Sequence, residues 1–151
     1  MNRLLVLLLA LGWSLSAPAV ALGAAEGDFS FYGLRLGAKR AEVAKVVQLE
    51  GDTVKNPGHG MSELELVFDR EDALMEIRAS WPRPADPLEL QGLQRALREK
   101  FVGPVSAAFP SVSVSVDEYG NRAAVRIVFL SNTLRERSID HHRTRYRALL
   151  D

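Results

Sequence analysis

Apolar and polar residues alternate in four stretches of this chain and fall at helical spacing in two others. From Ser62 to Phe68, the residues Leu64, Leu66 and Phe68 share one side and Glu63 and Glu65 the other, which is the pattern of a half-buried strand. Charged Asp69 to Asp72 form a turn, and Met75, Ile77, Ala79 and Trp81 then alternate against Glu76, Arg78 and Ser80 until Pro82 and Pro84 end the ladder. A second hairpin follows the same plan. Val112, Val114 and Val116 alternate with serines, Tyr119-Gly120-Asn121 turns, and Val125, Ile127 and Phe129 return on alternate positions.

Each hairpin is preceded by a helical pattern. After an extended lead-in from Phe29 to Leu36 that ends at Gly37, the valines 43, 46 and 47 lie on one side of a helix over about Ala38 to Val47, with Lys39, Arg40, Glu42 and Lys45 opposite. No Ser, Thr, Asp or Asn stands at its expected cap. The second helix is better marked: Asp86 caps, Pro87 suits the first turn, and Glu89 sits where a capping box places a carboxylate. Leu90, Leu93, Leu97 and Phe101 form its stripe, and Gly103-Pro104 stops it. Gly51 to Gly60, with Asn56, Pro57 and Gly58, reads as a loop.

These elements predict an α+β fold built as a tandem α-β-β repeat, unit one over about 34–81 and unit two over about 87–130. Because every strand has one apolar face, the two hairpins make one four-stranded antiparallel sheet with both helices on a single face. In the tail, 131–151, the residues His142, Tyr146, Leu149 and Leu150 predict a short terminal helix from Asp140 onward that packs on the edge.

The first residues change the setting. Arg3, an apolar run from Leu4 to about Leu15 and the small residues Ala17 to Ala21 are the three parts of a secretory signal, with cleavage after Ala21 or as late as residue 25. Gly12, Ser14, Ser16 and Pro18 interrupt the run before it reaches the roughly 20 apolar residues of a membrane span. The expectation is a single domain, 26–151, soluble in the bacterial periplasm and without a membrane segment once the signal is removed. Although that compartment permits disulfides, the chain has no cysteine, so an apolar core has to supply its stability. The lipid attachment of a lipoprotein is excluded for the same reason.

Nineteen basic and nineteen acidic side chains cancel, which excludes the uniformly basic footprint of a nucleic-acid binder. The charges are nevertheless segregated, with Glu63, Glu65, Asp69, Glu71, Asp72 and Glu76 in one stretch and Arg135, Arg137, Arg143, Arg145 and Arg147 in another. Such runs are either solvated faces or docking patches.

The run GLRLGAKRAEV from Gly33 to Val43, followed by a hairpin and then by ALREKFVGPV from Ala96 to Val105, resembles the repeat of small exported bacterial proteins. These include the beta-lactamase-inhibitor-protein fold and the small lipoprotein of the outer-membrane assembly machine. Gly37, Glu42 and Val43 match its helix-opening segment, while Ala38 and Lys39 replace the usual residues. The resemblance implies a non-enzymatic protein, and its motif governs folding rather than contacts, so no functional residue is carried over.

The chemistry-bearing residues point the same way. No G-x-S-x-G turn and no phosphate-cradling loop occurs, and the serines 113 and 115 are accounted for as the solvent side of a strand. His59 lies in a glycine-flanked loop, and the adjacent His141 and His142 point to different sides of a helix, without the spacing of a zinc pair. No catalytic residue, metal ligand or cofactor site is therefore assigned. Glu63, Glu65 and Glu76 are best read as cross-strand partners of Arg78. The leading expectation is a binding or inhibitor-like module that contacts a periplasmic protein or envelope component through its polar sheet face, comprising Glu63, Glu65, Glu76, Arg78, Ser113, Ser115 and Arg126. Trp81 and Tyr119 are added as aromatic anchors at hairpin ends, although Trp81 also continues the buried alternation begun at Met75. Two alternatives remain open: a small periplasmic hydrolase or metal-dependent enzyme using His59 or the His141-His142 pair, and an envelope-associated structural protein attached through Arg135 to Arg147.

Overall fold

The computed structural model describes residues 29–102, 112–117 and 124–150. The expected signal 1–21, the Gly103-Pro104 stop and the Tyr119-Gly120-Asn121 turn lie outside them. Helix α1 is Arg40–Val46, followed by strands β1 (Leu49–Glu50), β2 (Thr53–Val54), β3 (Glu63–Phe68) and β4 (Leu74–Pro82). Helix α2, Pro87–Leu97, continues into one π-helical turn, Arg98–Val102, before β5 (Val112–Asp117), β6 (Ala124–Leu130) and helix α3 (Asn132–Leu150).

The α+β class and the two hairpins stand as expected. Strands β3, β4, β6 and β5 lie side by side and antiparallel, with Leu66 opposite Ile77, Ile77 opposite Phe129, and Phe129 opposite Val112. The sheet has six strands rather than four, however, in the order β1-β2-β3-β4-β6-β5. Part of the segment read as a loop folds back about Gly51, pairs Thr53 with Glu65, and buries Val54. Two-residue strands are too short to show an alternation, which is why the pattern missed them.

One apolar cluster joins Val43 of α1 and Leu97 and Phe101 of the α2 region to Leu64, Leu66, Ile77, Ala79, Val125, Ile127 and Phe129 of the sheet. Both helices therefore cover the same face. Asp86 accepts from the backbone N–H of Leu88 and Glu89, at 2.6 and 3.2 Å, as the cap requires. Helix α1 lacks a side-chain cap at Lys39, and its start is completed from two directions. Glu42 accepts from the Lys39 N–H at 2.9 Å, and Arg40 N–H donates to the Asp72 carbonyl in the β3–β4 turn at 2.9 Å. Of the three valines expected on its apolar side only Val43 is deeply buried, while Val46 is exposed and Val47 follows the helix as its C-cap.

The lead-in is less extended than expected. Phe31 and Leu34 exchange both backbone hydrogen bonds, at 2.9 and 3.0 Å, around Tyr32 and Gly33 with φ of 48° and 86°. Positive φ at both central residues is the geometry of a tight two-residue hairpin turn. It sends Phe31, Leu34 and Leu36 into the core, where Phe31 packs against Phe101 and Phe129 at ring separations of 5.1 and 5.0 Å.

The terminal helix is longer than expected and docks differently. It starts at Asn132, not near Asp140, because the buried Ser131 caps it: Ser131 Oγ accepts from Leu134 N–H at 3.2 Å. Leu134 is buried, Arg137 pairs with Asp69 and Glu71, and Ser138 and His141 reach Met75 and Arg70. The expected packing residues His142, Tyr146 and Leu149 are exposed instead.

Candidate binding face and neighbouring cavity

A strand turns successive side chains to opposite faces, so the register that buries Leu64, Leu66, Ile77 and Ile127 dictates what lies on the other side. One row across that face runs Glu63, Ser80, Arg126, Ser115, and the next runs Glu65, Arg78, Val128, Ser113. In a third row Glu76 lies between Val67 and Leu130. Seven of the residues expected to form a binding surface, Glu63, Glu65, Glu76, Arg78, Ser113, Ser115 and Arg126, thus share one face of four adjacent strands.

Arg78 is the centre of that face. Its Nη1 donates to Glu65 Oε2 at 3.2 Å and its Nε to Glu76 Oε1 at 2.5 Å, so one guanidinium joins two strands and two rows. The Glu76 hydrogen bond, opposed by partial burial and supported by the Glu76 charge and by Glu65, raises the Arg78 pKa above its ordinary value. Because Arg78 and Glu65 are each more than a third exposed, solvent screening limits their pair to a few tenths of a kcal/mol, the surface range. Its effect is positional: it fixes the orientation of three long side chains. In the neighbouring row Arg126 Nε donates to the hydroxyl of Ser80 at 3.3 Å. Ser113 and Ser115 are exposed beside them.

Trp81 does not belong to this face. It continues the buried series from Ile77 and Ala79, is 7% exposed, and donates its indole N–H to the His59 carbonyl at 3.1 Å. It is a core residue that holds the loop before β3, not a surface anchor. Tyr119 lies outside the described residues.

That loop borders a cavity of about 320 Å³ whose polar lining includes Tyr32, Asn56 and His59, over apolar Leu34, Val54 and Met61. The rings of Tyr32 and His59 stack at 3.8 Å, and Lys100 donates to the Tyr32 hydroxyl at 3.2 Å. Tyr32, Asn56 and His59 all have positive φ, between 48° and 52°. Left-handed backbone is uncommon outside glycine, and three cases around one cavity mark a built feature of the fold. The sequence carried only a loop composition here, because the cavity forms where the Tyr32 turn meets a segment more than twenty residues further along the chain.

His59 is therefore a stacking partner in that cavity, and His141 and His142 lie on α3 with their ring centroids 5.6 Å apart. His141 faces Arg70, whose Nη1 lies 2.7 Å from Nδ1. Desolvation and the charges of Arg70, His142 and Arg145 lower its pKa. Among the described residues no three His, Asp or Glu side chains converge in a group able to hold a metal ion, and no helix is long and apolar enough to cross a membrane. Comparison with known proteins gives no match to a family model, to a curated protein or to a solved structure.

Proposed function

We propose that this chain is a non-enzymatic binding module of the bacterial envelope, exported to the periplasm, which holds a protein or envelope ligand against the polar face of its sheet. The observation that supports this most is the Glu65–Arg78–Glu76 cluster, tied at 3.2 and 2.5 Å across β3 and β4 with the apolar core directly behind it. Charged side chains fixed on regular strands lose little further conformational freedom when a partner docks, which lowers the cost of association. Beside them stand exposed hydroxyls at Ser113 and Ser115 and the half-buried Val128 and Leu130. Such a mixture of polar and apolar groups suits a protein surface better than a uniformly charged polymer. The repeated helix-hairpin order also agrees with the resemblance to small non-enzymatic exported proteins.

Charge reversal tests the reading. Arg78→Glu places three carboxylates together, and the affinity for the protein that co-purifies with the unaltered chain should fall roughly tenfold or more. An unchanged affinity, in a variant with an unchanged circular dichroism spectrum, would remove the face from consideration.

A further inference from the structure

Among the described residues, helix α3 meets the rest of the protein through its first half. Arg137, Ser138 and His141 lie on the same side as the buried Leu134 and meet the β3–β4 region, whereas every residue from His142 to Leu149 is exposed. At 1.5 Å per residue, about 12 Å of helix stands clear of the body. Ile139, Tyr146 and Leu149, which are 45%, 62% and 72% exposed, follow at intervals of seven and three. They form a stripe turned about 120° from the docked side. Arg135 lies in line with it, and Arg143, which pairs with Asp140 at 3.0 Å, and Arg145 flank it on either side. From His141 to Leu149 there is no acidic residue.

We propose that this projecting end of α3 docks the protein onto an anionic lipid surface, with Ile139, Tyr146 and Leu149 entering the headgroup boundary and Arg135, Arg143 and Arg145 meeting lipid phosphates. Charge complementarity selects the occupant. A second copy is disfavoured, because pairing two such stripes would set Arg143 and Arg145 against like charges. A protein groove would call for a compact cluster of anchors filling a pocket. Here the apolar side chains are single and widely spaced while arginines spread along and beside them, an arrangement that meets a plane of negative charge. The amphipathic ring of Tyr146 suits that boundary. Since the helix is too polar to cross a bilayer, attachment is peripheral, and it is independent of the sheet face.

The absence of cysteine from the sequence permits a local test in the full chain. An environment-sensitive dye is attached at Leu149→Cys on the stripe or at Thr144→Cys, about half a turn away. Vesicles of phosphatidylcholine with and without phosphatidylglycerol are then added. The expected result is a blue shift and protection from aqueous iodide at position 149 with the anionic vesicles alone, and continued quenching at 144. Arg143→Gln and Arg145→Gln should each weaken binding about fivefold, and raising salt from about 50 to about 500 mM should abolish it. No shift at 149, an equal shift on pure phosphatidylcholine, or a shift that the arginine variants retain would overturn the proposal. A shift produced by soluble polyglutamate and not by vesicles would also overturn it, in favour of an acidic protein partner.

Discussion

Arg137 on helix α3 is paired with the carboxylate of Asp69, a side chain only 1% exposed in the β3–β4 turn. The same carboxylate accepts from the N–H groups of Glu71 and Ala73, both at 2.9 Å, and Arg137 also meets Glu71 at 3.2 Å. One buried acid thus closes the hairpin and anchors the helix that follows β6. Removing the arginine would leave that acid unpaired. Because Arg137 is itself about a quarter exposed, the loss expected for Arg137→Ala is about 2 kcal/mol, below the 3–5 kcal/mol of a fully buried pair. Urea denaturation measures it, and a change smaller than about 0.5 kcal/mol, the level of an ordinary surface substitution, would mean the pair does not anchor α3.

Acid should act on the same carboxylate. Burial alone would raise the Asp69 pKa, but the Ala73 N–H, Arg137 and the Glu71 N–H together outweigh it and hold the value below that of an ordinary aspartate. A group depressed in the folded state contributes stability that is full above its unfolded value and is lost as pH falls through the folded one. The contribution should therefore begin to fade below about pH 4, near the unfolded aspartate value. Denaturation of the unaltered chain and of Asp69→Asn across this range should give curves that converge in acid; curves separated by a constant amount would show that Asp69 is not the titrating group.

The turn at Tyr32-Gly33 offers a contrast between two glycines. Both Gly33 and Gly51 have positive φ, 86° and 65°, but a Cβ on Gly33 would meet Val46 Cγ1 at 3.2 Å, whereas Gly51 has open space. Gly51→Ala should cost only the backbone penalty of about 1–2 kcal/mol. Gly33→Ala should cost more, with a correspondingly lower melting temperature, because crowding of Val46 is added. Equal losses would mean that the Tyr32 turn yields without disturbing α1.

Much of this architecture was legible because strand periodicity is two. Once Leu64, Leu66, Ile77 and Ile127 are placed inward, the positions of Glu65, Arg78 and Arg126 on one outer face follow without further information. The same rule placed Trp81 inward, and the structure puts it there. What stayed hidden depended on contacts distant in sequence or on elements too short to show a period. Strands β1 and β2 have two residues each, and the cavity needs the Tyr32 turn and the His59 loop to meet. Arg137 could not be distinguished within a run of arginines from those that face solvent, since its partner Asp69 is 68 residues away. The start of α3 carries its own signal in Ser131, which caps the helix, whereas the apolar spacing that predicts a helix begins only after Asp140.

The polar face itself is tested most directly by photo-crosslinking in intact cells. A photoreactive residue at Ser113 or Ser115, exposed on that face, should give the same discrete adduct. One at Ala41 or Lys45, exposed on α1 behind the sheet, should give none, and Arg78→Glu should abolish the adduct at Ser113. Adducts from Ala41 and Lys45 with nothing from Ser113 and Ser115 would contradict the account and move the binding surface to the helical side.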